Sequence, residues 1–203
     1  SIMSGTLPAT PAFQTVTINN NTPNLVTITS SGRRQVKSQQ SQFFSLDCRY
    51  PPMKRSDFAP IMAFIMKQRG ATESFTLKVP EYSDTQGAFS SQTVNVNATE
   101  PVGETSIALQ VSGSVTQAGA LKAGDFIQFD NHNKVYMVVS DVDFSSGTAT
   151  MTIEPPLVTA VSSSDDVIYK NVEFTVFLTD DVQEFNTGLA NIVEFEVSLR
   201  EAI

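Results

Sequence analysis

Apolar and polar residues alternate along most of the chain with the period of two that predicts β-strands. The last part of the chain shows this pattern most clearly. Two apolar sets alternate there with polar residues, namely Val172, Phe174, Val176 and Leu178, and then Val193, Phe195, Val197 and Leu199. Residues 180–191 connect the two sets. We therefore predict two antiparallel strands joined by a loop at this end of the chain.

Strand patterns also occur near the start of the chain. Residues 13–18 and 25–29 both have them, and the turn-forming run 19–23 lies between. This arrangement predicts a hairpin. Residues 33–39 then form a polar, basic segment that leads into the next strand.

Residues 42–50 have the pattern of a half-buried strand. Its predicted core face consists of Phe44, Leu46, Cys48 and Tyr50. Its other face carries Phe43, Ser45, Asp47 and Arg49. Two prolines end this strand, and residues 74–79 later resume the alternation. The order predicted here is strand, helix, strand.

The helix in this order is predicted over residues 56–69. Apolar residues recur there at helical spacing, at Phe58, Ile61, Met62, Ile65 and Met66. Ser56 is a suitable N-cap, Asp57 favours the positive end of the helix dipole, and Gly70 stands where a left-handed C-cap is common. Pro60 falls in or just after the first turn, where a missing amide costs little. We expect the apolar face to pack on a β-barrel or sandwich rather than to line a ligand groove.

The middle of the chain, residues 92–170, has short strand patterns separated by turns rich in Gly, Ser and Asp. Strands are predicted at 107–111, 126–129, 135–139 and 148–153, and no helix is predicted. A unit of short strands buries one face of its sheet and leaves no unpaired strand edges when the sheet closes into a small barrel. We therefore predict a small barrel here.

The terminal strands need a sheet to complete, and residues 1–91 contain too few strands for one. We therefore predict a discontinuous domain of residues 1–91 and 171–203, with residues 92–170 inserted as a second domain. The predicted fold class is mainly β, a β-sandwich or barrel domain with one α-helix plus an inserted small β-barrel.

Composition narrows the class of protein. The chain has 203 residues and 40% hydrophobic residues, which is enough for a core. Its net charge of −8 argues against nucleic acid as the main ligand, although the local basic cluster could still dock a partner. The sequence contains neither a bilayer-spanning apolar stretch nor a signal-peptide pattern, so we expect a soluble protein without membrane insertion.

Residues that often carry chemistry are sparse. Cys48 is the single cysteine and is predicted to be a core residue, and the single histidine, His132, lies in a turn-forming run. Three carboxylate pairs lack the spacing of a cation-binding loop, namely Asp141 with Asp143, Asp165 with Asp166, and Asp180 with Asp181. Motifs for hydrolysis, phosphate binding or zinc are absent. We expect no enzymatic activity, no metal and no cofactor.

The order of these parts resembles the N-terminal domain of the distal tail proteins of long-tailed bacteriophages, of the siphophage type. The resemblance rests on the basic strand 33–39, the strand ending in Arg49-Tyr50-Pro51, the helix 57–69 and the strand 75–79 closing on Pro80. The terminal strands, with their acidic edge, look like that family's return to its first sheet. The middle barrel stands where relatives carry an OB-like barrel insertion.

The resemblance implies a structural virion protein at the tip of the tail. It would form a homohexameric ring that joins the tail tube protein to a baseplate hub or tail fibre protein. DNA would pass through the lumen as cargo only, since an acidic wall repels the DNA backbone. The first sheet would make the ring and the insertion would project outward.

Subunit contacts in such a ring would join charges of opposite sign. We expect them to involve the basic residues Arg33, Arg34 and Lys37 of one copy and acidic residues of its neighbour, namely Asp180, Asp181, Glu194 and Glu196. A simpler alternative is that the basic residues lie on a solvent-exposed strand face, where their charges keep a sheet edge from pairing with another chain.

Two other functions remain open from the sequence. The first is a tail tube or tail terminator subunit, which is also β-rich and ring-forming. The second is a carbohydrate-binding module in which the middle barrel contacts host glycans. The lack of Trp and the presence of only 4 Tyr count against the second, because sugar platforms usually present an aromatic ring face.

Overall fold

The computed structural model describes residues 3–38, 42–181 and 184–203. Over these ranges the protein is mainly β with a single α-helix, α1 (Arg55–Lys67), which confirms the predicted fold class. The strands, in chain order, are β1 (Met3–Thr6), β2 (Thr15–Asn21), β3 (Asn24–Ile28), β4 (Arg34–Ser38), β5 (Phe43–Arg49), β6 (Met53–Lys54), β7 (Ser74–Leu77), β8 (Val94–Val96), β9 (Ser106–Val111), β10 (Gln117–Leu121), β11 (Phe126–Phe129), β12 (Val135–Val138), β13 (Val142–Phe144), β14 (Thr148–Glu154), β15 (Val167–Ile168), β16 (Phe174–Leu178), β17 (Asn186–Thr187), β18 (Ile192–Glu194) and β19 (Glu196–Glu201).

The chain divides into two compact units. Unit 1 consists of Ser1–Phe75 and Val176–Ile203, and unit 2 consists of Thr76–Thr175. Both divisions fall inside strands, β7 and β16. Unit 2 is therefore wider at both ends than the segment 92–170 that the sequence pattern marked out.

Unit 1 is built on a six-stranded sheet with the order β1-β7-β16-β19-β5-β2. The pairing of β19 with β5 places Val197 opposite Cys48 and Leu199 opposite Leu46, and these four side chains are buried. The predicted core face of residues 42–50 is confirmed, since Phe44 and Tyr50 are buried as well. In β19 the alternation separates buried Val197 and Leu199 from the more exposed Glu196, Ser198 and Arg200, because successive side chains point to opposite faces of a strand. In β16 the predicted apolar residues Phe174, Val176 and Leu178 are buried, but Thr175 between them is buried as well.

The predicted hairpin between residues 13–18 and 25–29 is wrong. Strand β2 pairs with β5, over the register from Thr15 opposite Arg49 to Asn21 opposite Phe43. Strand β3 instead pairs with β4 in a separate two-stranded sheet. A three-stranded sheet of β17, β18 and β6 completes unit 1. Sequence proximity favoured the local pairing, whereas β2 pairs with β5 along its whole length and becomes half-buried on one face.

Helix α1 buries Phe58, Ile61 and Ile65, as its apolar spacing predicts. Met66 does not belong to this face, because it is 65% exposed. The predicted N-cap Ser56 is also wrong. Strand β6 runs straight into the helix, so Lys54 is the N-cap residue and makes no capping hydrogen bond with its side chain.

Helix α1 ends at Lys67 rather than at Arg69, whereas the left-handed conformation predicted at Gly70 is confirmed. Gln68 is the C-cap, and the left-handed conformation is shared by Arg69, with φ of 55°, and Gly70, with φ of 66°. Gly70 has a second reason to lack a side chain. A Cβ at this position would lie 2.7 Å from a carboxylate oxygen of Asp181.

Unit 2 contains a six-stranded sheet that is nearly closed, with the order β15-β11-β12-β14-β9-β8. Its two edge strands meet through an isolated bridge between Asn95 and Asp166, supported by a hydrogen bond from the Val96 amide to the Asp165 carbonyl at 3.0 Å. Strands β10 and β13 form a second, two-stranded sheet. Closure of this kind leaves little free strand edge, as expected for a small barrel.

The core of unit 2 begins before residue 92. Phe89 packs against Phe144, with ring centroids 5.0 Å apart. The buried carboxylate of Asp125 accepts hydrogen bonds from the amides of Gln86, at 3.0 Å, and Lys122, at 2.8 Å. These contacts explain why residues ahead of the predicted boundary belong to this unit.

Within the ranges that the structure describes, α1 is too short and too polar to cross a bilayer, and no other helix reaches the necessary length.

Candidate subunit interface

The three basic residues singled out from the sequence lie on one hairpin. Strands β3 and β4 pair antiparallel, with Val26 opposite Val36 and Ile28 opposite Arg34. The pairing continues to the turn, where the Thr29 amide donates to the Arg33 carbonyl at 2.9 Å. Gly32 completes the turn with φ of 78°, a left-handed conformation that glycine adopts without strain.

This basic hairpin, residues 24–38, is exposed along both strands. All five residues of β3 are exposed, as are residues 34–37 of β4. Its apolar side chains are therefore in contact with water, at 55% exposure for Leu25, 47% for Val26, 72% for Ile28 and 51% for Val36. A group of exposed apolar residues on two short strands is typical of a surface that another chain covers.

The four acidic residues singled out from the sequence line a second feature, a cleft of about 590 Å³ in unit 1. We call it the acidic cleft. The carboxylates along it are those of Asp180, Asp181, Glu184, Glu194 and Glu196. Arg49 is the one basic residue among its described lining residues. The cleft thus has a strong excess of negative charge.

Strand register brings these carboxylates together. Glu196 lies opposite Arg49 in the β19–β5 pair, and their side chains form an ion pair at 3.2 Å. Glu194 lies at the end of β18, and only Phe195 separates it from the start of β19. Asp181 accepts a hydrogen bond from the Ala71 amide at 3.2 Å, which connects this part of the cleft to the segment that follows α1.

Glu184 and Arg49 belong to the cleft but were not among the predicted interface residues. Glu184 carries the same charge and lies in the same connecting segment as Asp180 and Asp181, so a count of acidic residues there could have included it. Arg49 was placed on the exposed face of its strand, yet its partner across the sheet depends on the register of β19, which the sequence pattern alone does not give.

The carboxylate pairs in unit 2 have structural partners. Asp141 forms an ion pair with Lys122 at 2.6 Å, and this contact lowers the pKa of Asp141 and raises the pKa of Lys122. Asp143 accepts from the Gly119 amide at 2.6 Å, and Asp165 from the Ser162 amide at 2.6 Å. Among the described residues, no group of three or more His, Cys, Asp or Glu side chains is arranged to hold a metal ion.

His132 takes part in a hydrogen-bonded group around Tyr136. The Val158 amide donates to the Tyr136 hydroxyl at 3.1 Å, and that hydroxyl lies 2.7 Å from His132 Nε2. Nδ1 lies 2.5 Å from the Asn131 side-chain oxygen, an acceptor, so the neutral ring holds its proton on Nδ1. Burial lowers the pKa of His132. This arrangement holds a loop in place.

These features define the class of protein, a mainly β chain with one helix that carries an exposed basic hairpin and an acidic cleft on its surface. Residues 85–172 match the family model of the distal tail protein pb9, B domain. The matched segment lies entirely within unit 2. The match supports the assignment to phage distal tail proteins through the inserted unit and indicates a structural component of a phage tail. No curated protein gives a significant match to the chain.

Proposed function

We propose that this chain is the subunit of a homohexameric ring at the distal end of a phage tail tube. The ring would connect the tail tube protein to a baseplate hub or tail fibre protein. The observation that carries this proposal is the match of residues 85–172 to a domain of a distal tail protein. Proteins of this kind are structural parts of the virion tail and are generally not enzymes.

The two parts of the chain have different roles in this proposal. Unit 1 forms the ring, and unit 2, which contains the predicted insertion 92–170, is the inserted domain. The continuous six-stranded sheet of unit 1 supports the ring-forming role, because it combines strands from both ends of the chain into one rigid element. The nearly closed sheet of unit 2 offers few free edges for assembly.

The charged surfaces support self-association. A ring requires two different patches on each copy, so that one copy's first patch meets its neighbour's second. Unit 1 carries such a pair, with Arg33, Arg34 and Lys37 on the basic hairpin and Asp180, Asp181, Glu194 and Glu196 along the acidic cleft. We propose these seven residues as subunit contacts.

DNA enters the proposal only as cargo in the lumen. The net charge of −8 favours a wall that repels phosphates over one that binds them. A channel for DNA release needs this property, because strong contacts to the backbone would slow the passage of the genome.

Unit 2 offers little support for a carbohydrate-binding function. In unit 2, which the structure describes throughout, the only exposed Phe or Tyr ring is that of Tyr82, which is 42% exposed and packs edge-on against Phe126 with ring centroids 5.7 Å apart. The other rings are buried, namely Phe89, Phe126, Phe129, Tyr136, Phe144, Tyr169 and Phe174. A sugar platform needs an exposed ring face. The insertion therefore fits a structural role better than glycan recognition.

The experiment that tests the proposal is electron microscopy of particles from the source with a gold-labelled antibody against this chain. We expect label confined to the tip of the tail. Label along the whole tail would indicate a tube subunit, and label at the opposite end of the tail would indicate a terminator. Absence of label from intact particles and from detergent-opened tails would overturn the proposal.

A further inference from the structure

The basic hairpin has the properties of an arm that another chain completes. A two-stranded hairpin alone in water is at best marginally stable, because it buries little apolar surface. Here β3 and β4 pair only with each other in their sheet, and the described side chains of both strands are exposed. Contact with another surface would cover the apolar side chains and stabilise the hairpin.

The strand register concentrates apolar residues on one face of the hairpin. Val26 and Val36 lie directly opposite each other, and Ile28 follows two residues after Val26 on the same face. Arg34 pairs with Ile28, so one guanidinium shares this face. Three β-branched side chains in a row form a compact surface that packs well against another chain.

Two of the three positive charges lie close to the turn. Arg33 follows Gly32 directly, and Arg34 begins β4, so both precede the apolar pair on the way from the turn to the base. The tip is thus basic and the middle apolar. A partner must offer carboxylates at the point that the tip reaches.

The acidic cleft offers those carboxylates on this same chain. It is lined by five of them against one arginine, and Arg49 is already paired with Glu196. The hairpin tip and the cleft are therefore complementary in charge. Because one chain carries both the basic tip and the acidic cleft, a second copy of the chain is the partner that this charge complementarity favours.

We propose that the basic hairpin of one copy docks in the acidic cleft of the next copy, with Val26, Ile28 and Val36 covered at the contact. This inference rests on the proposed function, because it specifies how neighbouring subunits of the ring hold each other. Each copy gives one hairpin and receives one. The contact is heterologous, and contacts of this kind form a ring when the rotation between neighbouring copies closes.

Cross-linking through introduced cysteines tests the docking in the full chain. Ser31 lies in the hairpin turn and Asn186 lines the cleft; both are exposed and uncharged, so the variant S31C/N186C keeps every proposed ion pair. The native Cys48 is 2% exposed and leaves the background unreactive. We expect a short bismaleimide to produce a ladder of dimers, trimers and larger species on a denaturing gel.

The matched control is S31C/V102C, in which the second cysteine lies in unit 2 at a position that is 60% exposed. We expect this control, and each single-cysteine variant, to give at most dimers. A ladder of equal intensity in the control would overturn the inference, and so would the lack of a ladder in S31C/N186C at the highest soluble concentration.

The apolar face is tested separately by the variant V26S/V36S. We expect at least tenfold weaker association in sedimentation analysis, whereas V139S, also at an exposed valine, leaves association unchanged. Equal association of the wild type, V26S/V36S and V139S would show that the apolar face of the hairpin is not part of the contact.

The two proposals fail in different ways. Tail-tip label together with no ladder would leave the proposed function intact and overturn the docking. A ladder together with no label on particles would do the reverse.

Discussion

Cys48 lies between Leu46 and Tyr50 on the buried face of β5, where its thiol is removed from water. Burial raises the pKa of this thiol from 9.0 to about 12, with a smaller contribution from Asp47. A thiol with such a pKa is almost wholly protonated at neutral pH, and the thiolate is the reactive form. The burial that the sequence pattern predicted therefore has a chemical consequence.

We predict that Cys48 does not react with Ellman's reagent at pH 8 in the native protein and reacts fully in denaturing urea. The raised pKa also stabilises the folded state below pH 9, and this contribution is lost as the pH rises towards about 12. Absorbance at 412 nm measures the reaction of the Cys48 thiol with Ellman's reagent. Rapid, complete labelling of the native protein would contradict the burial of this thiol.

His132 gives a second prediction at this scale. Burial lowers its pKa below the usual 6.5, so the unfolded state binds a proton more readily than the folded state does. The stability that comes from the neutral ring is therefore present above pH 6.5 and is lost as the pH falls through the folded pKa. Protonation would also place an N–H against the Tyr136 hydroxyl, which would have to turn its own hydrogen elsewhere.

Urea unfolding at pH 7.5 and pH 5.5 measures this effect. We expect the wild type to lose more unfolding free energy over this interval than His132→Gln, which cannot titrate. The carboxylates contribute equally to both proteins, so they cancel in the comparison. Parallel pH profiles for the two proteins would show that His132 does not titrate differently on folding.

At the scale of elements, α1 illustrates what a sequence pattern can and cannot predict. Its apolar spacing identified Phe58, Ile61 and Ile65 correctly, because one face of a surface helix must be buried. Its ends were misplaced, because they depend on neighbours distant in sequence. Strand β6, which precedes the helix, pairs with β18. Asp181 packs against Gly70, which follows the helix.

Phe58 should carry much of the stability of unit 1. It is fully buried, and its ring lies 5.3 Å from that of Phe195 and 6.0 Å from that of Tyr50. We predict that Phe58→Ala lowers the unfolding free energy by about 3–5 kcal/mol. Met66→Ala on the same helix should change it by less than about 0.5 kcal/mol, since Met66 is exposed. Denaturant titration measures both, and similar losses in the two variants would contradict the assigned buried face.

The pairing of β2 is the clearest error at this scale. A turn between two strand patterns favours a local hairpin, yet β2 pairs with β5 and β3 with β4. Next to β5 one face of β2 becomes half-buried, whereas all of β3 stays exposed. Patterns of alternation locate strands, but they do not specify partners when several strands offer a matching face.

At the scale of the whole molecule, the four predicted acidic residues prove to share one cleft although they come from two segments. The sequence suggested their charge and exposure. Their convergence depends on the register between β19 and β5 and on the contact of Asp181 with Ala71, and both connect distant parts of the chain. Contacts between copies depend on this folded surface, so the pattern of a single sequence does not specify them.

Charge reversal at the hairpin tests the assembly directly. We predict that R33E/R34E weakens association by at least about tenfold, or about 1.4 kcal/mol. The variant R55E/K170E changes the net charge equally at two other exposed positions and should associate as the wild type does. Sedimentation velocity in 50 mM and 500 mM salt measures both variants. Equal loss in the two variants would point to net charge rather than to the hairpin.

Unit 2 leaves the large sheet at β7 and returns to it at β16, and these two strands are neighbours in that sheet. A different connection between these two strands would therefore preserve the order of all six strands. This topology makes the insertion separable in evolution, because a lineage can gain, lose or exchange the inserted domain by recombination at two adjacent points. The fold of the host sheet then constrains only where a new domain begins and ends, and leaves its interior free to diverge.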